Sequence, residues 1–580
     1  MVPAFRRPAL ALSLAVIVAA GAWTGLAAPL RAEGVAGPYL AARVASGNSD
    51  FRAAADYFTR ALIYDRQNAE LMESAILSRI GMGDFDGAVA VADAMRAGTT
   101  RTQVADLVAM TDMAARGDWD AVLADLDGVA MTSPLVEGLM RAWAEIGRGR
   151  MSEALVAFDA VAETEGLATF AQYHKAMALA SVGDLEGADA ILAAEDAGPL
   201  RMTRRAVLAH AQILSQLERR DDALGLIDDT FGREGDPVFT EMAEKLEAGE
   251  TLPFDVVRSP EEGVAEIYHS LASALTGEGN DVFTLVYARL AQFLRPDEPD
   301  TLLLVAGLLE RQDQFELATA VYGSIPRESP AYPAAELGRA EALIASDRRD
   351  AAIEVLEQLA RSYPDQPVIL ANLGDTLRQA ERYADAIRAY DAAIALFDGD
   401  AEAQWPVYYA RGISYERQKD YDRAETDMRK ALDLRPNQPQ VLNYLGYSFL
   451  EQRRNLEEAQ SMIERAVAER PEDGYIVDSL AWAYYRLGRY DDAVAPMEKA
   501  VALMPVDAVL NDHLGDVYWA VGRKREAEFQ WKRALSFSQD AGMNADEVDP
   551  DRIRRKLEIG LDAVLAEEGA APLAVTQNAD

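Results

Sequence analysis

The chain is expected to fold as an all-α solenoid of antiparallel helix-turn-helix repeats, and three observations between Asn437 and Leu535 predict it. A small residue after leucine recurs as Leu445-Gly446, Leu480-Ala481 and Leu514-Gly515, at spacings of 35 and 34 residues. An aromatic follows each small residue by three positions, at Phe449, Tyr484 and Tyr518. A second alanine set keeps the same phase, at Ala459, Ala493 and Ala527 and again at Ala466, Ala500 and Ala534, and Pro471 and Pro505 close the first two units.

Each of these residue types has a packing reason. Two helices approach closely only where a side chain is small, so Gly446, Ala481 and Gly515 mark where the first helix of a unit (helix A) meets the second (helix B). Ala459, Ala493 and Ala527 are the matching positions on helix B. The aromatics are expected to fill the space between neighbouring hairpins. Proline ends helix B because it lacks an N–H and restrains the residue before it. A lone hairpin cannot bury its apolar face, so such units stack along one dimension. In period and residue pattern these units resemble the tetratricopeptide repeat. The resemblance implies a right-handed superhelical solenoid that binds proteins.

Composition narrows the function. With 580 residues the chain can form a long array. It contains no cysteine, which excludes disulfides, thiolate metal sites, cysteine nucleophiles and a lipid-modified N-terminal cysteine. With 96 acidic and 57 basic residues the net charge is −39, a surface that repels phosphate backbones, so no nucleic-acid partner is expected. The four histidines (His174, His210, His269, His513) fit no metal spacing, and no phosphate loop, nucleophile elbow or dinucleotide fingerprint occurs. Acidic pairs such as Asp221-Asp222 and Asp491-Asp492 fall in interhelical turns, where solvated helix N-termini explain them. No enzyme activity, cofactor or metal is expected.

Taken in order, residues 1–32 read as an export signal or an N-terminal anchor. Arg6 and Arg7 precede a run without charge that lasts to Arg31, and Ala27, Ala28 and Ala32 offer cleavage points. Either way the positive flank places the rest outside the cytoplasm. Residues 37–231 are expected to form a degenerate array, its small helix-A positions occupied by Ala42, Ile76, Ala109, Ala142, Ala176 and Ala211. The next good position is Ala272, 61 residues later, and 232–259 carries turn signals, so an irregular hinge is expected there, with Pro237–Ala248 readable as one helix of an eroded unit. Ser259-Pro260-Glu261-Glu262 reads as a fresh helix start. A second array spans 260–540, with small positions at Ala272, Ala306, Ala340, Gly374, Gly412, Gly446, Ala481 and Gly515. Asp549-Pro550 opens a capping helix over 549–567, and 569–580 has no periodicity and reads as a disordered tail.

If helix A lines a concave face, as the resemblance implies, the positions three before, one after and four after the small residue point into a groove. They include Tyr409; Asn443 and Tyr447; Asp478, Trp482 and Tyr485; and Asp512, Asp516 and Trp519. Phe449, Tyr484 and Tyr518 already fill the packing scheme, so the surplus aromatics on this wall are expected to anchor a protein segment. The family's clamp for C-terminal carboxylates uses Lys and Asn here. Asp478, Asp512 and Asp516 would repel a carboxylate, so that mode is not expected.

The run Val441–Tyr447, then Asp473–Leu480, then Asn511–Asp516 is similar to a group of long envelope repeat proteins of Gram-negative bacteria. The likeness covers mainly 260–565. It implies an adaptor that joins a carboxy-terminal processing protease to cell-wall hydrolases, although this chain has no cysteine to carry that group's lipid. The expected role is therefore a non-enzymatic binding scaffold in the envelope. The rival expectation is a structural subunit of an envelope biogenesis, secretion or polysaccharide assembly.

Overall fold

The computed structural model describes residues 34–98, 101–128, 132–194, 202–232, 236–279, 281–538, 548–570 and 573. The expected signal at 1–32 and most of the tail at 569–580 lie outside the described residues. Among the described residues every regular element is helical, as the periodicity requires. None of these helices is long and apolar enough to cross a membrane. The chain divides into two compact units, Met1–Gln314 and Phe315–Asp580.

The first unit opens with six hairpins: α1 (Ala36–Gly47) and α2 (Phe51–Tyr64), α3 (Ala69–Met82) and α4 (Phe85–Arg96), α5 (Gln103–Ala115) and α6 (Trp119–Leu126). They continue with α7 (Pro134–Gly147) and α8 (Met151–Ala162), α9 (Ala168–Ser181) and α10 (Leu185–Leu192), α11 (Arg204–Gln216) and α12 (Arg220–Thr230). The helix starts follow capping rules: Asp84, for example, precedes α4 and its Oδ1 accepts from Gly87 N at 3.0 Å. Gly83, at φ 84°, ends α3 in the left-handed conformation that the tight turn requires. The small positions are where expected, with Ala42, Ile76, Ala142, Ala176 and Ala211 fully buried.

After these hairpins the chain forms α13 (Pro237–Glu247), then α14 (Pro260–Leu275), α15 (Asp281–Leu294) and α16 (Pro299–Glu310). The interval 232–259 contains the helix expected at Pro237–Ala248, as α13, but its second half is not an open hinge: it is seated on α11. Leu252 N donates to Ser215 Oγ at 2.9 Å and Asp255 N to Gln212 Oε1 at 3.1 Å, while Leu252, Val256 and Val257 are buried. The helices that follow then run back along the first array. α14 packs on α5, α7 and α9, and α15 on α3 and α5, all of them helix A of their hairpins. The first unit therefore extends past Ser259 to Gln314, because α14–α16 belong to its core.

The second unit comprises α17 (Phe315–Tyr322), α18 (Tyr332–Ala345) and α19 (Arg349–Ser362), α20 (Pro367–Gln379) and α21 (Tyr383–Ala395), and α22 (Trp405–Arg417) and α23 (Tyr421–Leu434). It continues with α24 (Pro439–Glu451) and α25 (Leu456–Glu469), α26 (Gly474–Arg486) and α27 (Tyr490–Leu503), α28 (Ala508–Ala520) and α29 (Lys524–Phe537), and ends with α30 (Pro550–Ile559) and α31 (Leu561–Glu567). The expected cap is two short helices broken at Gly560. The glycine register is enforced by contact: a Cβ on Gly446 would lie 2.8 Å from Ile463 Cγ1, and one on Gly515 would lie 2.4 Å from Trp531. Of the three expected inter-hairpin aromatics, Phe449 and Tyr518 are buried. Tyr484 is only half-buried, its hydroxyl donating to Glu464 and Arg489 lying over its ring.

Candidate partner-binding groove

The inner face of the second unit is built by the helix-A series α18, α20, α22, α24, α26 and α28. At α22 and α24 aromatics meet edge to face: Tyr409 and Tyr444 have ring centroids 5.9 Å apart at 89°, and Tyr409 also packs on Trp405 at 6.1 Å. The Tyr444 hydroxyl donates to Glu416 Oε2 at 3.1 Å. Beside this cluster lies a cavity of about 660 Å³, lined by Tyr447, Ser448, Glu451 and Gln452 of α24 and by Glu416, Arg417, Lys419 and Tyr421. On the same helix Asn443 Oδ1 is shielded from solvent and has no hydrogen-bond partner. Such an atom costs about 1–3 kcal/mol unless a partner satisfies it.

Further along, Trp482 is held by two stacked rings. Tyr485 stacks on it at 4.6 Å and His513 at 4.0 Å, which leaves it half-buried. His513 Nδ1 lies 3.0 Å from Asp478 Oδ1. Burial pulls the imidazole down, but Asp478, with Asp512 and Asp516 behind it, more than offsets that and leaves it raised above its usual range.

The acids at the last hairpin already have a cation. Lys556 of α30 is buried and its Nζ reaches Asp512 Oδ2 at 2.8 Å and Asp516 Oδ1 at 2.7 Å. Asp516 Oδ1 also accepts from Trp531 Nε1 at 2.9 Å. Trp519 Nε1 donates to Asp562 Oδ2 at 2.9 Å, and Lys524 lies over its ring. The reading of these positions as an open wall is corrected here: α30 and α31 cover Asp512, Asp516 and Trp519. Of the nine expected groove residues, Tyr447 lines the cavity, Tyr409 packs on its lining residue Tyr444, and Asn443 is the neighbour of Tyr444 on α24. Asp478, Trp482 and Tyr485 form an internally paired cluster beside them.

In the first unit the corresponding inner face is occupied by the chain itself. Arg205 of α11 donates through Nε to Glu266 Oε2 of α14 at 2.8 Å and through Nη1 to Glu298 at 2.9 Å. The Tyr173 hydroxyl donates to Glu266 Oε1 at 2.7 Å. Burial opposes the Glu266 carboxylate, yet Arg205 and His269 hold it down at about 2. Thr111 donates to Tyr268 at 3.0 Å, and Trp143 Nε1 reaches His174 Nδ1 at 3.4 Å. Arg289 of α15 donates to the Gly81 carbonyl, 2.9 Å from Nη2, and Phe293 stacks on Phe85. The repeat pattern could not show this, because it reports spacing within a hairpin and not which distant hairpin fills a face. Among the described residues no group of three or more His, Asp or Glu could hold a metal ion.

Family models described as tetratricopeptide repeat match residues 39–100, 309–373, 365–437 and 451–508, in phase with the hairpins above. The chain carries tetratricopeptide repeats. It is similar to a TPR repeat-containing protein, PA4667, of Pseudomonas aeruginosa, with 26% identity over 187 residues that make up 32% of this chain. The chain spans about a third of that curated relative's length, 31%. Among solved structures it is similar to the APC/C hetero-tetramer Cut9-Hcn1, at 14% identity, 90% of this chain, 96% of that one and a TM-score of 0.36. It is also similar to a tetratricopeptide repeat protein from Parabacteroides merdae ATCC 43184, at 18% identity, 45% and 98% coverage and a TM-score of 0.37. A third is YrrB, described as a TPR protein with an unusual peptide-binding site, at 18% identity, 34% and 100% coverage and a TM-score of 0.27. Tetratricopeptide-repeat proteins are generally protein-interaction scaffolds.

Proposed function

We propose that this protein is a non-enzymatic scaffold of the bacterial envelope that holds a partner protein on the inner face of its second unit, around Tyr409, Asn443 and Tyr447. One observation carries the reading: the inner face of the first unit is filled by α14 and α15, whereas the second unit keeps a cavity at α22 and α24, with a shielded, unsatisfied side-chain carbonyl on the same α24. The resemblance of Val441–Tyr447, Asp473–Leu480 and Asn511–Asp516 to envelope adaptors supports a partner of matching kind, a carboxy-terminal processing protease, with cell-wall hydrolases as the delivered clients. Residues 1–32 support export to the periplasm, followed by cleavage or by retention as an anchor.

The test is a binding titration of the full chain against that protease, with Tyr447→Ala and Asn443→Ala beside the native chain. Truncating an aromatic anchor in such a groove costs about 2 kcal/mol, some thirtyfold in Kd. Melting curves should move little, since Tyr447 is only half-buried. Normal binding by both variants would place the partner elsewhere. A reporter fused to residues 1–40 and active only outside the cytoplasm checks the location, and a silent reporter would rule out export.

A further inference from the structure

The last hairpin of the second unit is closed by α30 and α31, which bury Ile553, Leu561 and Val564 against it. The first helix of the first unit has no such cover among the described residues. On α1, Leu40 and Val44 are 63% and 66% exposed. Repeat stacks need a polar outer face at their ends, so an apolar one marks a contact surface.

The pattern on that surface points to its occupant. Gly37, Leu40, Val44 and Gly47 are all exposed and follow at steps of three, four and three, so they share one helical face. The set is symmetric about Ala42. We propose that a second copy of this chain docks here, α1 against α1, antiparallel about a two-fold axis at Ala42. That arrangement sets Leu40 against the partner's Val44 and Gly37 against the partner's Gly47. A Cβ on Gly37 or Gly47 would meet nothing within 4 Å, so both glycines leave room for the other helix to approach. An isologous contact of this kind uses one self-complementary patch twice.

Charge favours the same pairing. Residues 36–64 carry Arg43, Arg52 and Arg60 against Asp50 and Asp56, a balance of +1 in a chain of −39. Two copies meeting here bring together ends of small net charge, so the repulsion that a chain of −39 carries overall is weak at this contact. The proposal is independent of what the second unit binds.

The test is sedimentation velocity on the full exported chain from about 1 to about 100 µM, the range expected of a small apolar contact. A concentration-dependent dimer is expected, and Leu40→Glu should leave a monomer with an unchanged melting curve, since the side chain is exposed. The chain has no cysteine, so Leu40→Cys and Val44→Cys give clean single-thiol variants. Mixed under mild oxidation, they should cross-link faster than either variant alone, because only the antiparallel pairing brings 40 beside 44. A native chain that stays monomeric at 100 µM, including one whose leading residues cover α1, overturns the proposal. So does a Leu40→Glu variant that still dimerises.

Discussion

At the scale of single residues, the same substitution should have opposite signs at two glycines. Gly515→Ala puts a Cβ 2.4 Å from the buried Trp531 and should cost about 1–3 kcal/mol. Gly307→Ala lies inside α16 with nothing within 4 Å and should stabilise by about 0.5–1 kcal/mol. Paired thermal melts decide both. Lys556→Ala leaves Asp512 and Asp516 without their buried cation and should cost about 3–5 kcal/mol, with α30 released. The exposed Arg554–Asp551 pair sets the comparison, at under about 1 kcal/mol for Arg554→Ala. Gly515 was legible from the sequence because its neighbour lies within the same hairpin, at a fixed offset. Lys556 was not, since nothing in a 34-residue period says that a lysine some 40 positions on would neutralise Asp512 and Asp516. That is why those acids read as groove residues when they are anchors for the cap.

At the scale of elements, helix identity and order were legible nearly throughout, including the cap that begins at Asp549-Pro550. Placement was less so. α14 and α15 obey the same period as the repeats that follow them, and for that reason they read as the opening units of a second array. Their buried faces belong to α3, α5, α7 and α9, and Gly263 shows how close the fit is: a Cβ there would lie 2.2 Å from the Trp143 ring. Gly263→Leu should therefore unseat α14 while the six preceding hairpins keep their helices. The readout is limited proteolysis. In the native chain the segment 250–258 should resist cutting, since it is hydrogen-bonded to α11 and carries buried side chains. In the variant it should become an early site, and equal resistance in both would show that α14 is not held by that contact.

At the scale of the whole molecule, the two units should respond to pH in opposite directions. Burial holds the His174 imidazole of the first unit at about 4, and His269 is lowered as well. Between pH 6.5 and about 4 the unfolded chain takes up protons that the folded unit refuses, so the first unit loses stability as pH falls through that window. His513 in the second unit is raised by its aspartates, so its contribution is full below about pH 6.5 and is lost as pH rises through the folded value. Calorimetry from pH 5 to 8 should show two transitions that move in opposite directions, that of the first unit falling and that of the second rising on acidification, and His174→Gln should flatten the slope of the first. A fragment of residues 315–567 should melt cooperatively on its own. A fragment starting at Ser259 should not gain from its extra helices, because α14 and α15 would lack the faces they cover. Extra dye-binding apolar surface in the longer fragment is the expected sign, and its absence would mean that α14 and α15 pack within the second unit.

The long return of α15 also sets a clock on synthesis. Stacked repeats ordinarily close their contacts between neighbours, so each unit can settle soon after it emerges. Here the Gly81 carbonyl must wait for Arg289, 208 residues later. At about 5–20 residues per second the interval is roughly 10–40 s, during which Gly81 and Phe85, the ring that Phe293 will stack on, have only solvent or a chaperone to meet. The first unit should therefore refold more slowly than the second from a common denatured state, by the entropy of closing that loop. A nascent chain halted before Asp281 should be the form most readily captured by a holdase.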